Sequence, residues 1–331
     1  MKKKTERVNS DKVIGPPQPK SLKPNAYNTY IDVCISSIVI DHGINSGMQF
    51  QPSDCHVEIG KGISNTIMES VESIKAIIFA MNAAESLHVH DNSSITTVIP
   101  EHLMSIEDKN LTWKHLKYCH VVRCPKMHTI FNTIPGHYRF RELVNFWAAD
   151  LLMTHVIWSN ELTWGHDNYS YAKLQSIHLF SCPRLKYILW FSLSNMLRSL
   201  ETLHIVNCGN LRKVFLEEPT YQNRTPSNHR EGLRKFPKLK EIYLYELPKL
   251  QQICEAKMFA PKLDYIKLRG CWSLRRLPYV GRRSYPIVNC EKNWWEKLKW
   301  DGLEVGHDPS LFQPHHSAYY KKPLPRVSVL R

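Results

Sequence analysis

No apolar run in this sequence approaches the roughly 18 residues that a membrane-spanning helix needs. The best stretch, Ile74 to Ala84, already contains Lys75 and Asn82, so no membrane span is expected. A secretory leader is not expected either: Lys2, Lys3 and Lys4 are followed to Asn28 by polar, proline-rich chain with no apolar centre. The nine cysteines are odd in number and scattered, without the dense even pattern of a disulfide framework. They are expected to be reduced thiols in a cytoplasmic protein, with nuclear entry left open. The sequons at Asn92, Asn110, Asn168 and Asn223 are then ordinary turn residues.

Reaction chemistry is equally sparse. The sequence has no G-x-S-x-G, no H-E-x-x-H and no paired-carboxylate pattern, so an enzyme is not expected. A phosphate-cradling G-x-x-x-x-G-K-[ST] loop is absent; Gly60-Lys61-Gly62-Ile63-Ser64 lacks both the upstream glycine and the hydroxyl residue after the lysine. No cofactor is expected. His115, Cys119, His120, Cys124 and His128 come near a zinc-ligand spacing, but the repeat described below already accounts for both cysteines.

The net charge is +14, which favours acidic partners. About nine of these excess charges lie in residues 1–30 and 281–331, so the middle is only mildly basic. Weak non-specific nucleic-acid binding through the basic tail, Lys321, Lys322, Arg326 and Arg331, stays open.

What the sequence does have is a repeat. Leu200, Leu203, Ile205, Cys208, Leu211 and Val214 follow a spacing that recurs from Leu174, Leu239 and Leu263, and upstream from Ala84 and Leu116. A weaker copy starts at Leu143. Seven copies of irregular length define a leucine-rich repeat, an α/β solenoid with parallel strands on its concave face and irregular or helical connections outside. The last two apolar positions of each L-x-x-L-x-L alternate with period two, as a strand buried on one face requires. Two residues later, Asn92, Cys124, Cys182, Cys208 and Cys271 form a ladder of small polar groups able to satisfy the backbone of a bend. Leu151 and Leu247 replace it in two copies and should leave weaker bends.

The expected organisation is a flexible basic arm over 1–29, an N-terminal cap or degenerate repeat over 30–83, repeats over 84–280, and a C-terminal cap with basic tail over 281–331. Tyr30 to Ile40 is β-forming and Ile63 to Ala83 has helical spacing, while Glu217 to Gly232 reads as an exposed loop. Trp294, Trp295 and Trp300 are expected to cover the last apolar face of the stack.

The block L-x-x-L-x-L-x-x-C-x-x-L, with Cys-Pro or Cys-Gly at the bend and Leu277-Pro278 as a closer, resembles the repeats of plant intracellular disease-resistance receptors of the coiled-coil, nucleotide-binding class. The run from Val288 to Trp300, containing Cys290-Glu291, Trp294-Trp295, Leu298 and Trp300, is similar to the close of their repeat regions. The resemblance covers about two thirds of the chain. It implies a recognition module of plant defence whose partner is a pathogen protein, a guarded host protein or a nucleotide-binding module on another chain. An F-box-type adaptor shares such repeats, but residues 1–62 do not resemble an F-box; a nucleic-acid-associated protein or an inactive receptor fragment also remains open.

Lining up the outward strand positions gives a column of His88, His120, Trp147, His178, His204, Tyr243 and Lys267, and a second of His90, Val122, Ala149, Phe180, Val206, Tyr245 and Arg269. An exposed column tolerates any residue, but imidazole and aromatic groups are also enriched where proteins bind proteins. If this is a recognition stripe, its four histidines, with ordinary pKa near 6.5, should charge together and make binding sensitive between about pH 5.5 and 7.

Overall fold

The computed structural model describes residues 55–61, 78–98, 113–132, 140–159, 171–191, 197–217 and 233–316. The arm 1–29, the stretch Tyr30–Ile40, most of 63–83, the loop 218–232 and the basic tail from 317 onward lie outside the described residues. Along the chain run strands β1 (His56–Ile59), β2 (Ser86–His90), β3 (Tyr118–Val122), β4 (Thr129–Asn132), β5 (Asn145–Ala149), β6 (Val156–Ser159), β7 (Ser176–Phe180), β8 (Leu189–Phe191) and β9 (Thr202–Val206). They are followed by β10 (Lys213–Glu217), β11 (Leu233–Lys235), β12 (Glu241–Tyr245), β13 (Gln252–Cys254), β14 (Lys257–Phe259), β15 (Tyr265–Arg269), β16 (Ile287–Cys290) and β17 (Gln313–His316).

Ten strands form one sheet in the order β1-β2-β3-β5-β7-β9-β12-β15-β16-β17. Every pairing in it is parallel, so each strand must be reached by a crossover on the far side of the core. This is the solenoid that the repeat implies. Its register follows the repeat residue by residue: Leu87 pairs with Cys119, Phe146 with Ile177, and Leu203 with Ile242. The sheet also extends beyond the seven copies. β1 pairs with β2 through His56↔Ser86 to Ile59↔Val89, and β16 and β17 add two strands after β15.

Each five-residue strand of the main sheet buries its second and fourth residues, such as Ile177 and Leu179 or Ile242 and Leu244, all fully buried. The residue just after the strand turns into left-handed backbone: Asp91, Arg123, Asp150, Ser181, Asn207, Glu246 and Gly270 have φ between 50° and 67°. That single inversion swings the chain off the sheet, and short polar side chains or glycine tolerate it best. The next residue is the ladder position. Asn92 Oδ1 accepts from the backbone N–H groups of Ser94 and Ile95 at 3.0 and 3.1 Å, and its Nδ2 donates to the Gly60 carbonyl at 2.9 Å. The thiols of Cys124, Cys182 and Cys208 donate to the carbonyl two residues back at 3.4 Å, and Cys271 donates to Leu244 at the same distance.

Beyond the bend the described connections carry short parallel strands, in the sets β4-β6, β8-β10-β13 and β11-β14. Helix among the described residues is confined to 78–83, Lys292–Trp295 and the 3-10 turn Pro309–Leu311. None of it is long and apolar enough to cross a membrane. Between the layers an aromatic stack runs through Trp113, Phe131, Phe140, Trp158 and Tyr171, with centroids 4.8 to 6.4 Å apart. Trp113, Phe140 and Tyr171 lie three residues before the first apolar position of their copies, a column the six-position spacing does not include. After β16, Trp294 is buried with its Nε1 donating to the Leu274 carbonyl, and Trp295, Trp300 and Phe312 pack together.

Candidate functional site

The outward residues of the main sheet form a continuous run of rings. Centroids are 6.2 Å apart for His88–His120, 5.7 Å for His120–Trp147, 5.1 Å for Trp147–His178, 5.6 Å for His178–His204 and 5.2 Å for His204–Tyr243. Phe180 bridges to the second column, lying 4.8 Å from Trp147 and 5.0 Å from His204. Lys267 Nζ lies 5.6 Å above the Tyr245 ring, within cation–π range. The register supplies this contact: neighbouring strands are about 4.8 Å apart, so rings at equivalent positions must touch.

The same contact changes the character of the column. His88, His178 and His204 are 3 to 5% exposed, whereas the lined-up sequence treats them as open surface. Rings on adjacent strands cover one another, and burial disfavours the charged form. Desolvation, helped by neighbouring histidines, pushes His88 and His178 down to about 3; His120 and His204 fall to about 4, chiefly through burial. Concerted charging between pH 5.5 and 7 is therefore corrected: these imidazoles stay neutral across that window. Neither nitrogen of His178 has a hydrogen-bond partner among the described residues. Trp147, Tyr243, Tyr245 and Lys267 remain partly exposed. Arg269 is also partly exposed but tied down, with Nη2 donating to Asn289 Oδ1 at 2.5 Å and Nη1 to the Asn289 carbonyl.

A third outward column escapes the two-column alignment. It starts each strand and includes His56, Ser86, Tyr118, Asn145, Ser176, Thr202, Glu241 and Tyr265. Ser176 Oγ donates to Asn145 Oδ1 at 2.7 Å, and His56 Nδ1 lies 2.7 Å from Ser86 Oγ. The five-residue strands have outward positions one, three and five, and the sequence signal was the residue two before each His88-type position.

The residues with near-zinc spacing do not converge. Cys119 and Cys124 are buried in the core and the bend, His115 and His128 are exposed, and burial raises both thiols. Cys55 is the exposed one among the described cysteines; Cys119, Cys124, Cys182, Cys208, Cys254, Cys271 and Cys290 are buried thiols outside any disulfide. Because the thiolate is the reactive form, iodoacetamide treatment of the native protein is expected to label Cys55 and spare those seven. Peptide mass spectrometry before and after unfolding checks this, and native labelling of Cys208 would contradict the ladder geometry.

The fold defines a leucine-rich-repeat solenoid with a ring-lined sheet face. Residues 142–280 match the family model of plant disease resistance protein RPS2-like leucine-rich repeats, so this part of the chain is of the kind its repeat spacing implied. The match ends before the 288–300 tail. A probable disease resistance protein of Arabidopsis thaliana is 27% identical over 135 residues, 40% of this chain and 14% of the relative. Another is 29% identical over 125 residues, 37% of this chain and 13% of the relative. The disease resistance protein SUMM2 of the same plant is 27% identical over 133 residues, 39% of this chain and 14% of its own length. The chain thus matches about one seventh of these curated relatives. No solved structure matches it significantly.

Proposed function

We propose that this chain is a non-enzymatic recognition module of plant defence, and that it binds a protein partner through the concave face of its main sheet. The observation that carries the reading is the unbroken run of rings from β2 to β15, on a scaffold similar to disease-resistance repeats. Buried His88, His178 and His204 form the floor. Trp147, Tyr243, Tyr245 and Lys267 present the partly exposed, amphipathic groups that dominate binding energy at protein interfaces. The partner is a pathogen protein, a guarded host protein or a nucleotide-binding module, and free thiols agree with a cytoplasmic setting.

The test is a comparison of variants against a partner captured from plant extract by the wild-type chain. Tyr245→Ala and Trp147→Ala are each expected to weaken binding at least about tenfold, as central aromatic contacts do. Trp272→Ala, at a half-exposed tryptophan just beyond the Cys271 bend, should leave it unchanged. A partner indifferent to both concave changes and lost with Trp272→Ala would move the interface elsewhere.

A further inference from the structure

At the N-terminal edge of the main sheet, the register of β1 against β2 sets Glu58 opposite His88, and His90 follows two residues later on the same face. Among the described residues, Glu58, His88 and His90 are the group of ligand-type side chains whose donor atoms all lie within 4.8 Å of one another. We propose that these three residues bind a divalent transition-metal ion of the zinc type, with Asp91 and Arg123 as its outer shell.

The chemistry of the set fits. Two imidazoles and one carboxylate are a recurrent three-ligand zinc combination that leaves a fourth position for water or another group. Donor atoms around such an ion, bonded at about 2.0–2.2 Å, stand roughly 3.4 Å apart, close to the spacing of these three, which all lie within 4.8 Å of one another. His90 Nε2 lies 2.5 Å from Glu58 Oε1, a direct hydrogen bond that an ion entering between the two atoms would replace by spreading them to the ligand spacing. Glu58 Oε2 is buried and has no hydrogen-bond partner among the described residues; an ion would satisfy that oxygen. The rings of His88 and His90 stack 4.4 Å apart at 20°, which aligns their edges.

Its surroundings also have the form that metal sites need. A ligating histidine almost always gives its second ring N–H to a carboxylate, a backbone carbonyl or water, which fixes the tautomer and aims the other nitrogen. His90 Nδ1 lies 2.9 Å from Asp91 Oδ2, and that carboxylate is clamped by Arg123, Nε to Oδ1 at 2.6 Å and Nη2 to Oδ2 at 2.8 Å. Asp91 belongs to the bend of β2 and Arg123 to the bend of β3, both in left-handed backbone. The repeat geometry itself therefore holds the outer shell. A bound ion would tie β1, at the edge of the sheet, to β2.

The experiment uses the full chain stripped with a chelator and titrated with Zn²⁺ alone, followed by calorimetry, and with Co²⁺, followed by its visible spectrum. One ion per chain is expected, with a cobalt spectrum of nitrogen and oxygen ligands. Glu58→Gln and His90→Gln should each weaken binding at least about 100-fold. Asp91→Asn should weaken it about 10- to 100-fold, the usual effect of removing an outer-shell carboxylate. His315→Gln, at an exposed histidine on the opposite edge strand of the same sheet, should leave the zinc affinity unchanged. A thiolate-to-cobalt charge-transfer band, or a 1:1 affinity kept in folded Glu58→Gln and His90→Gln, overturns the site. The wild-type cobalt spectrum distinguishes the ligand sets even if a variant does not fold.

Discussion

Phe131→Ala is expected to cost about 3–5 kcal/mol of folding free energy, the range for emptying a buried aromatic site. Phe131 is fully buried, with Trp113 at 5.9 Å, Phe140 at 4.8 Å and Trp158 at 6.3 Å. Trp113 belongs to the same copy of the repeat and Phe140 and Trp158 to the next, so the cavity would open at the contact between two coils. A stack held mainly by nearest-neighbour contacts has no other element to take up the gap, and a domain's whole stability is about 5–15 kcal/mol. The urea midpoint of the purified chain measures it. Trp272→Ala, at a half-exposed ring, is expected to stay within about 0.5 kcal/mol; equal losses from both changes would mean that the aromatic stack does not hold the coils together.

Acidification is the second large effect, and its sign follows from burial. His178 and His204 have folded pKa values lowered to about 3 and about 4 from an ordinary value of 6.5, mainly by desolvation. Between those limits the unfolded chain binds more protons than the folded one, so stability falls as pH is lowered below about 6.5. His178 alone should account for about 2 kcal/mol between pH 7 and pH 5, and His204 acts in the same direction, with Lys267 the charge that lowers it further. His178→Phe keeps a ring against Trp147, 5.1 Å away at 19°, and removes two buried nitrogens that have no partner among the described residues. Replacing an unsatisfied buried polar group with an apolar one of similar shape is expected to stabilise the protein by about 1–3 kcal/mol at pH 7 and to flatten the acid limb. Urea midpoints at pH 7 and pH 5.5 decide it: an unchanged pH dependence in the variant would place the acid sensitivity outside this column.

The repeat was legible because a strand with one buried face writes period two into the chain. Leu203 and Ile205 or Ile266 and Leu268 announce strands β9 and β15 with no knowledge of their neighbours, and the crossover length between copies leaves parallel stacking as the way to bury them. The ladder cysteines were legible for a related reason, since each bond they make is to backbone a few residues away or in the adjacent coil. The bend's left-handed residue was not. Asp91, Asp150, Asn207 and Gly270 are of types that tolerate positive φ, but Arg123, Ser181 and Glu246 stand at the same place, so no residue type marks it.

By itself, then, the sequence determined the fold, the register of the seven repeat strands and two of the three columns of side chains on their outward face, because these depend on spacing along the chain. Tertiary structure alone decided what the columns are. Spacing places His178 and His204 side by side but says nothing of how far neighbouring rings exclude water, and that exclusion keeps them neutral and turns a chargeable surface into a packed floor. The meeting of Glu58 with His88 and His90 belongs to the same kind. The two strands that supply them are 30 residues apart in register, across a stretch with no repeat spacing of its own, and only their pairing brings the carboxylate to the imidazoles.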